Sequence, residues 1–92
     1  MAAKSFEREP DRYVLRIDGE IIATADYSVS GDVVAITRVF TRPTHRGQGI
    51  AAEITEFAVD DIAQDPAKRI QPVCWYAARW FEAHPERKEL LA

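Results

Sequence analysis

The stretch Thr41-Arg42-Pro43-Thr44-His45-Arg46-Gly47-Gln48-Gly49-Ile50-Ala51-Ala52 leaves the chain few options, because it joins two segments of different period. Before it, Val33-Val34-Ala35-Ile36-Thr37-Arg38-Val39-Phe40 is a near-continuous apolar run of strand length. After it, Ile50, Ile54, Phe57, Ala58 and Ile62 recur at helical spacing. The joint is therefore a strand, a glycine turn and a helix start. Such a joint leaves backbone N–H groups without intrahelical acceptors, and the helix dipole favours an anion beside them. Gly47 and Gly49 lack a Cβ, so they accept positive φ and let a ligand come close to the main chain. Arg46, just before them, is placed to add a charge-assisted bond to the same anion. Gly-x-Gly before a helix also describes a plain tight loop, with Arg46 a solvated charge, so the phosphate reading needs support from elsewhere in the chain.

The flanking elements frame that joint. Met1 to Pro10 is polar, shows no period and ends in proline, which predicts a loose terminus. Arg12 to Ile17 and Glu20 to Tyr27 are rich in β-branched and aromatic residues around Asp18-Gly19, a two-residue hairpin signal. Counting outward from that turn sets Leu15 opposite Ile22, Val14 opposite Ala23 and Tyr13 opposite Thr24. Ser28-Val29-Ser30-Gly31-Asp32 is a second turn cluster, and Val33 to Phe40 is the next strand, its apolar character suiting a central place in the sheet. A helix from about Gly49 to Gln64 is stopped by Asp65-Pro66, with Glu53, Glu56, Asp60 and Asp61 on its water face. Lys68 to Cys74 reads as a short strand, brought parallel to the preceding one by the helical crossover. Trp75 to Ala83 fits a short helix ending before His84-Pro85. The expected fold is α+β: a three-stranded antiparallel meander, a central helix, a fourth strand parallel to the third and a short carboxyl-terminal helix. Residues 11 to 92 form one domain on this reading, since 92 residues leave no room for a second.

Charge and cysteine usage narrow the function. Twelve Lys and Arg against 15 Asp and Glu give a net charge of −3, which argues against a general nucleic-acid binder. Arg38, Arg42, His45 and Arg46 nevertheless gather positive charge near the glycine turn, which suits a nucleotide-like ligand. One cysteine excludes an internal disulfide, and with two histidines it makes a structural zinc site a poor fit. The amino-terminal stretch has no apolar core of a signal peptide, and no run reaches a membrane span. A reducing cytoplasm is the expected compartment.

Arg46-Gly47-Gln48-Gly49-Ile50-Ala51 resembles the acyl-CoA signature of the GCN5-related N-acetyltransferases, Arg/Gln-x-x-Gly-x-Gly/Ala. Pro72-Val73-Cys74-Trp75-Tyr76, followed by Trp80 through His84-Pro85-Glu86, is similar to the Pro-x-Cys-x-Tyr and His-Pro-Glu pattern of a small subgroup, the YjdJ-type N-acetyltransferase-like proteins. The resemblance implies that the amides of Gly47, Gln48, Gly49, Ile50 and Ala51, with Arg46, hold the CoA pyrophosphate. It implies acetyl-CoA as co-substrate and an unidentified amine as acceptor. It also implies that Tyr76 protonates the departing thiolate, or that Cys74 takes the acyl group first. At the predicted start of the second helix, Cys74 would gain thiolate character, although a cysteine there is equally a small buried hydrophobe. Tyr76 is equally an aromatic packed beside Trp75 and Trp80, and those tryptophans with Phe81 read as core or an apolar lid. His45 and His84 are further candidates for a base, with His84 also explained by the helix end it follows. Many relatives carry a histidine and a glutamate on the third strand where this chain has Arg38 and Phe40, so the usual groups for proton abstraction are missing.

Three other functions remain to be weighed. Gly47-Gln48-Gly49-Ile50-Ala51-Ala52 also satisfies the dinucleotide pattern, but three antiparallel strands precede it and Lys68-Arg69-Ile70 stands where an acidic residue is needed, so a NAD site is rejected. A non-catalytic acyl-CoA-binding module and a protein-interaction domain that keeps only the fold are the other two.

Overall fold

A computed structural model describes residues 3–92. Five strands form one mixed sheet in chain order: β1 (Lys4–Arg8), β2 (Arg12–Ile17), β3 (Glu20–Ser30), β4 (Val33–Thr41) and β5 (Arg69–Pro72). The first four make an antiparallel meander, and β5 pairs with β4 in parallel after the crossover through α1 (Ile50–Ala63). Helix α2 (Trp75–Ala83) and a closing 3-10 turn at Pro85–Leu90 complete the chain. The mixed α+β layout, the central β4 and the parallel β4–β5 pair match the sequence expectation.

The meander has one strand more than expected. Lys4–Arg8 is no loose terminus but an edge strand in register with β2, while Met1 and Ala2 lie outside the described residues. Its single large apolar side chain explains why periodicity missed it. Phe6 stacks on Phe57 of α1 at 5.1 Å between ring centroids, a partner far off in sequence. Lys4 pairs with Glu53 at 2.9 Å and Arg8 with Asp61 at 3.0 Å, so both ends of the strand are tied to the same helix.

The Asp18-Gly19 turn is the hairpin turn foreseen, with φ of 51° and 86° giving the left-handed pair that a right-twisted ribbon needs. The register beyond it differs. A bulge makes Arg16 face Ile21 and Leu15 face Ala23, so Tyr13 lies opposite Ala25 and Val14 opposite Thr24. The extra residue is Ile22, which joins Ala23 in the core, so the bulge removes two consecutive apolar side chains from water. A second bulge shapes β4. Ile36 faces Tyr27 while Arg38 faces Asp26, leaving Thr37 as the extra residue. Val34, Ile36, Val39 and Thr41 therefore turn inward, whereas Arg38 and Phe40 turn to the outer face of the sheet.

Helix α1 buries Ile50, Ile54, Ala58 and Ile62 against the sheet, with Thr55 and Val59 beside them. The acidic residues form less of a water face than their number suggests. Asp61 accepts from the Tyr13 hydroxyl at 2.8 Å and from Arg8, and Asp60 pairs with Arg87 at 2.9 Å. In α2, Trp80 and Phe81 enter the core as expected, but Trp75 does not: its side chain is 70% exposed.

Candidate active site

β4 and β5 stay paired only as far as Ile36 and Pro72. The amides of Val73 and Cys74 then both donate to the Ile36 carbonyl, at 3.0 and 3.1 Å, and the chain turns away into α2. Thr37–Thr41 runs on with β3 along one edge and, among the described residues, no strand along the other. The result is a fork that opens toward the glycine turn.

After β4, Arg42 leads into a 3-10 turn at Pro43–His45, whose fixed proline φ starts the reversal. Gly47 and Gly49 both hold left-handed backbone, φ 81° and 79°, and Gly49 is the N-cap of α1. A Cβ built on either glycine would meet no protein atom within 4 Å, so glycine is required by backbone conformation and not by crowding. The first helical bond runs from the Glu53 amide to the Gly49 carbonyl at 3.1 Å. Among the described residues, no amide from Gly47 through Ala52 donates to any protein acceptor. These are the unpaired donors of a helix start, extended backward by the two glycines.

The amides border a cleft of about 210 Å³ lined by Thr41, His45, Arg46, Gly47, Gly49, Ile50, Ala51, Ala52 and Tyr76. Arg46 Nε donates to the Thr41 carbonyl at 3.2 Å, while its other guanidinium N–H groups have no acceptor among the described residues. Thr41 Oγ1 is buried and makes no hydrogen bond, a polar atom of the cleft wall that the sequence reading did not single out. Nothing in the sequence separates Thr41 from an ordinary last strand residue. No carboxylate lines the cleft.

Tyr76 is brought to this cleft by the first turn of α2. Burial raises its pKa, and its hydroxyl makes no hydrogen bond among the described residues, so at neutral pH it is a protonated phenol with a free donor. The same ring lines an adjoining groove of about 300 Å³ that continues along α2 past Arg79, Trp80 and His84. Cys74 is placed otherwise. It is the N-cap residue of α2, half-buried against the core, and does not line the cleft. Gln48 is also outside the lining, although its amide is among the unpaired ones. The structure thus gathers Arg46, Gly47, Gly49, Ile50, Ala51 and Tyr76, and leaves Cys74 at the base of the fork.

The histidines part company as well. His45 lines the cleft with its Nδ1 3.1 Å from the Thr44 hydroxyl. His84 stacks on Trp80 at 4.0 Å, and its Nδ1–H donates to the Trp80 carbonyl at 2.7 Å, closing the end of α2. Among the described residues, no group of three or more His, Cys, Asp or Glu could hold a metal ion, and no helix is long and apolar enough to cross a membrane.

No curated protein matches the sequence. Among solved structures, the ribosomal-protein-S18-alanine N-acetyltransferase from Escherichia coli is similar, with a TM-score of 0.66 at 16% identity over 84% of this chain and 54% of that one. The chain therefore spans about half the length of that enzyme, and the likeness is one of fold. The family described as GCN5-related N-acetyl-transferase matches residues 12–90, from the second strand to the closing turn. That match covers β2 to β4, the unpaired amides and Tyr76 together, and the chain belongs to the GCN5-related N-acetyltransferase family.

Proposed function

We propose that this chain transfers an acetyl group from acetyl-CoA to an amine, directly and with Tyr76 as the acid. The observation that carries the reading is the run of unpaired amides from Gly47 through Ala52 in one cleft with the free Tyr76 hydroxyl. Those amides and the free guanidinium donors of Arg46 supply what a diphosphate needs: several N–H groups at a positive dipole end, and one flexible cation. The fork beside Thr37–Thr41 accepts the thioester arm, where unpaired strand amides can receive the developing oxyanion.

The chemistry asked of the side chains is small. An amine lone pair attacks the thioester carbonyl, the C–S bond breaks, and the sulfur takes its proton from Tyr76. The nitrogen loses its extra proton to solvent, and the phenol is restored from solvent. With no carboxylate in the cleft, the acceptor is taken up as its free base.

The route through Cys74 is the second reading, and its half-buried place at the base of the fork keeps it open to test. Binding is tested by titrating acetyl-CoA against tryptophan fluorescence, since Tyr76 of the cleft lies edge-on to the exposed Trp75 at 6.0 Å. Transfer is tested by thiol release in the presence of amines, with the protein mass recorded alongside. Release with no mass change supports direct transfer, and a stable acetyl adduct absent from Cys74→Ser supports the two-step route. Binding with neither release nor adduct would reduce the chain to an acyl-CoA-binding module.

A further inference from the structure

The outer face of the fork carries chemistry that the donor site does not use. The Thr37 bulge turns Arg38 and Phe40 away from the core, and the Arg38 guanidinium lies over the Phe40 ring, 5.1 Å from its centroid. Neighbouring charges on this sheet are mostly engaged: Arg12 with Glu9 at 2.7 Å, Arg16 with Glu7 at 3.0 Å, Arg42 with Glu20 at 3.7 Å. Arg38 forms no ion pair among the described residues. Asp26, directly across on β3, does not come within ion-pair distance of it. The cation–π contact places the guanidinium over the ring, and with no ion-pair partner among the described residues its N–H groups are available to a carboxylate, which a guanidinium can bind through two parallel bonds.

The opposite arm of the fork is apolar and wet. Among the described residues, the large hydrophobic side chains that are exposed are Val29, Val73 and Trp75, and two of them, at 57% and 70%, stand on the segment leaving β5. Exposed apolar groups gathered beside a reaction site are contact surface for a ligand. A cation on one arm and an exposed indole on the other do not suit a polyamine or a lysine-rich peptide, whose charges Arg38 would repel.

We infer that the acceptor is an amine with an apolar, preferably aromatic, body and a carboxylate, the carboxylate held by Arg38 and the body laid against Trp75. This rests on the acetyl-transfer reading and adds the acceptor class to it. Arg38 is then a specificity-determining residue that touches substrate and takes no part in proton transfer.

The test uses the full chain with acetyl-CoA and a matched pair of amines, 4-(aminomethyl)benzoate and benzylamine, which differ by the carboxylate alone. The expected result is a kcat/KM at least tenfold higher for the benzoate. Arg38→Gln should bring the two within about twofold, chiefly by raising KM for the benzoate and not by lowering its kcat. Equal rates on both amines in the unaltered chain, a preference for benzylamine or spermidine, or an unchanged ratio in Arg38→Gln would overturn the proposal. Turnover of neither amine would overturn it too. In that case retained acetyl-CoA binding, lost in Gly49→Ala, would leave the donor site standing, so failure of the acceptor assignment is distinguishable from failure of the donor site.

Discussion

The Arg46 side chain reaches back to the last residue of β4, its Nε donating to the Thr41 carbonyl at 3.2 Å. That bond spans the turn and fixes the spacing between the end of a strand and the pair of left-handed glycines. It also makes Arg46 both a strut and a ligand group. Arg46→Lys keeps the charge but loses the Nε donor and its planar fork. CoA affinity should fall about tenfold, ~1.4 kcal/mol, in either Arg46→Lys or Arg46→Ala, as read by isothermal titration. A lysine variant that binds as well as arginine would show that charge alone matters there.

Gly49→Ala separates conformation from contact. Its Cβ meets no protein atom, so the cost to folding is the left-handed backbone, about 1–2 kcal/mol. The methyl also projects beside the unpaired amides, and the CoA dissociation constant should rise at least tenfold. Thermal unfolding and binding measured on one sample check both. Unaltered affinity in a folded variant would remove the amide run from the donor site.

Tyr76→Phe should lower kcat about 10²-fold without weakening CoA binding, since only the proton to the leaving sulfur is lost. Burial raises the phenol's pKa, so the acid stays protonated beyond the ordinary tyrosine range. The rate with a simple amine should therefore climb with pH as free base accumulates, and show no falling limb until above pH 10. A bell-shaped profile with a lower descending limb would point to a different acid.

The other two tyrosines set the alkaline limit of stability. Burial raises the pKa of Tyr13 and of Tyr27, and the Tyr13 hydroxyl's bond to Asp61 adds to its shift. Each phenol holds its proton more tightly folded than unfolded. Stability is thus complete below the unfolded value near pH 10 and declines as pH rises beyond it. Tyr13→Phe should cost about 1–2 kcal/mol at pH 7 through the lost hydrogen bond to a carboxylate. It should also flatten the decline above pH 10, which urea midpoints across pH 7–11 would register.

Phe6→Ala should cost about 2 kcal/mol, less than a fully buried phenylalanine, because the ring is only partly covered by Phe57. A terminus that contributed nothing would leave the melting temperature where it was.

Local chemistry made much of this fold readable. Asp18-Gly19 announces its turn, the Ile50, Ile54, Ala58, Ile62 stripe announces α1, and Asp65-Pro66 closes it. Features with distant causes were not readable. Phe6 makes a strand because of a ring on α1, and the bulges at Ile22 and Thr37 arise from packing that a count of residues does not contain. The glycine turn was legible as a run of free donors, yet which side chain faces it was not. Tyr76 and Cys74 stand two residues apart, and the first turn of α2 sends one to the cleft and the other to the core.

The ion pair between Lys4 and Glu53 reaches further than the edge strand it anchors. Glu53 sits in the first turn of α1, where its negative charge competes with any anion at the same helix end. Lys4 offsets that competition. A protease that trims a few amino-terminal residues would then do more than fray a strand: it would leave an uncompensated negative charge on the first turn of α1, and an anion at that helix end would be held less tightly.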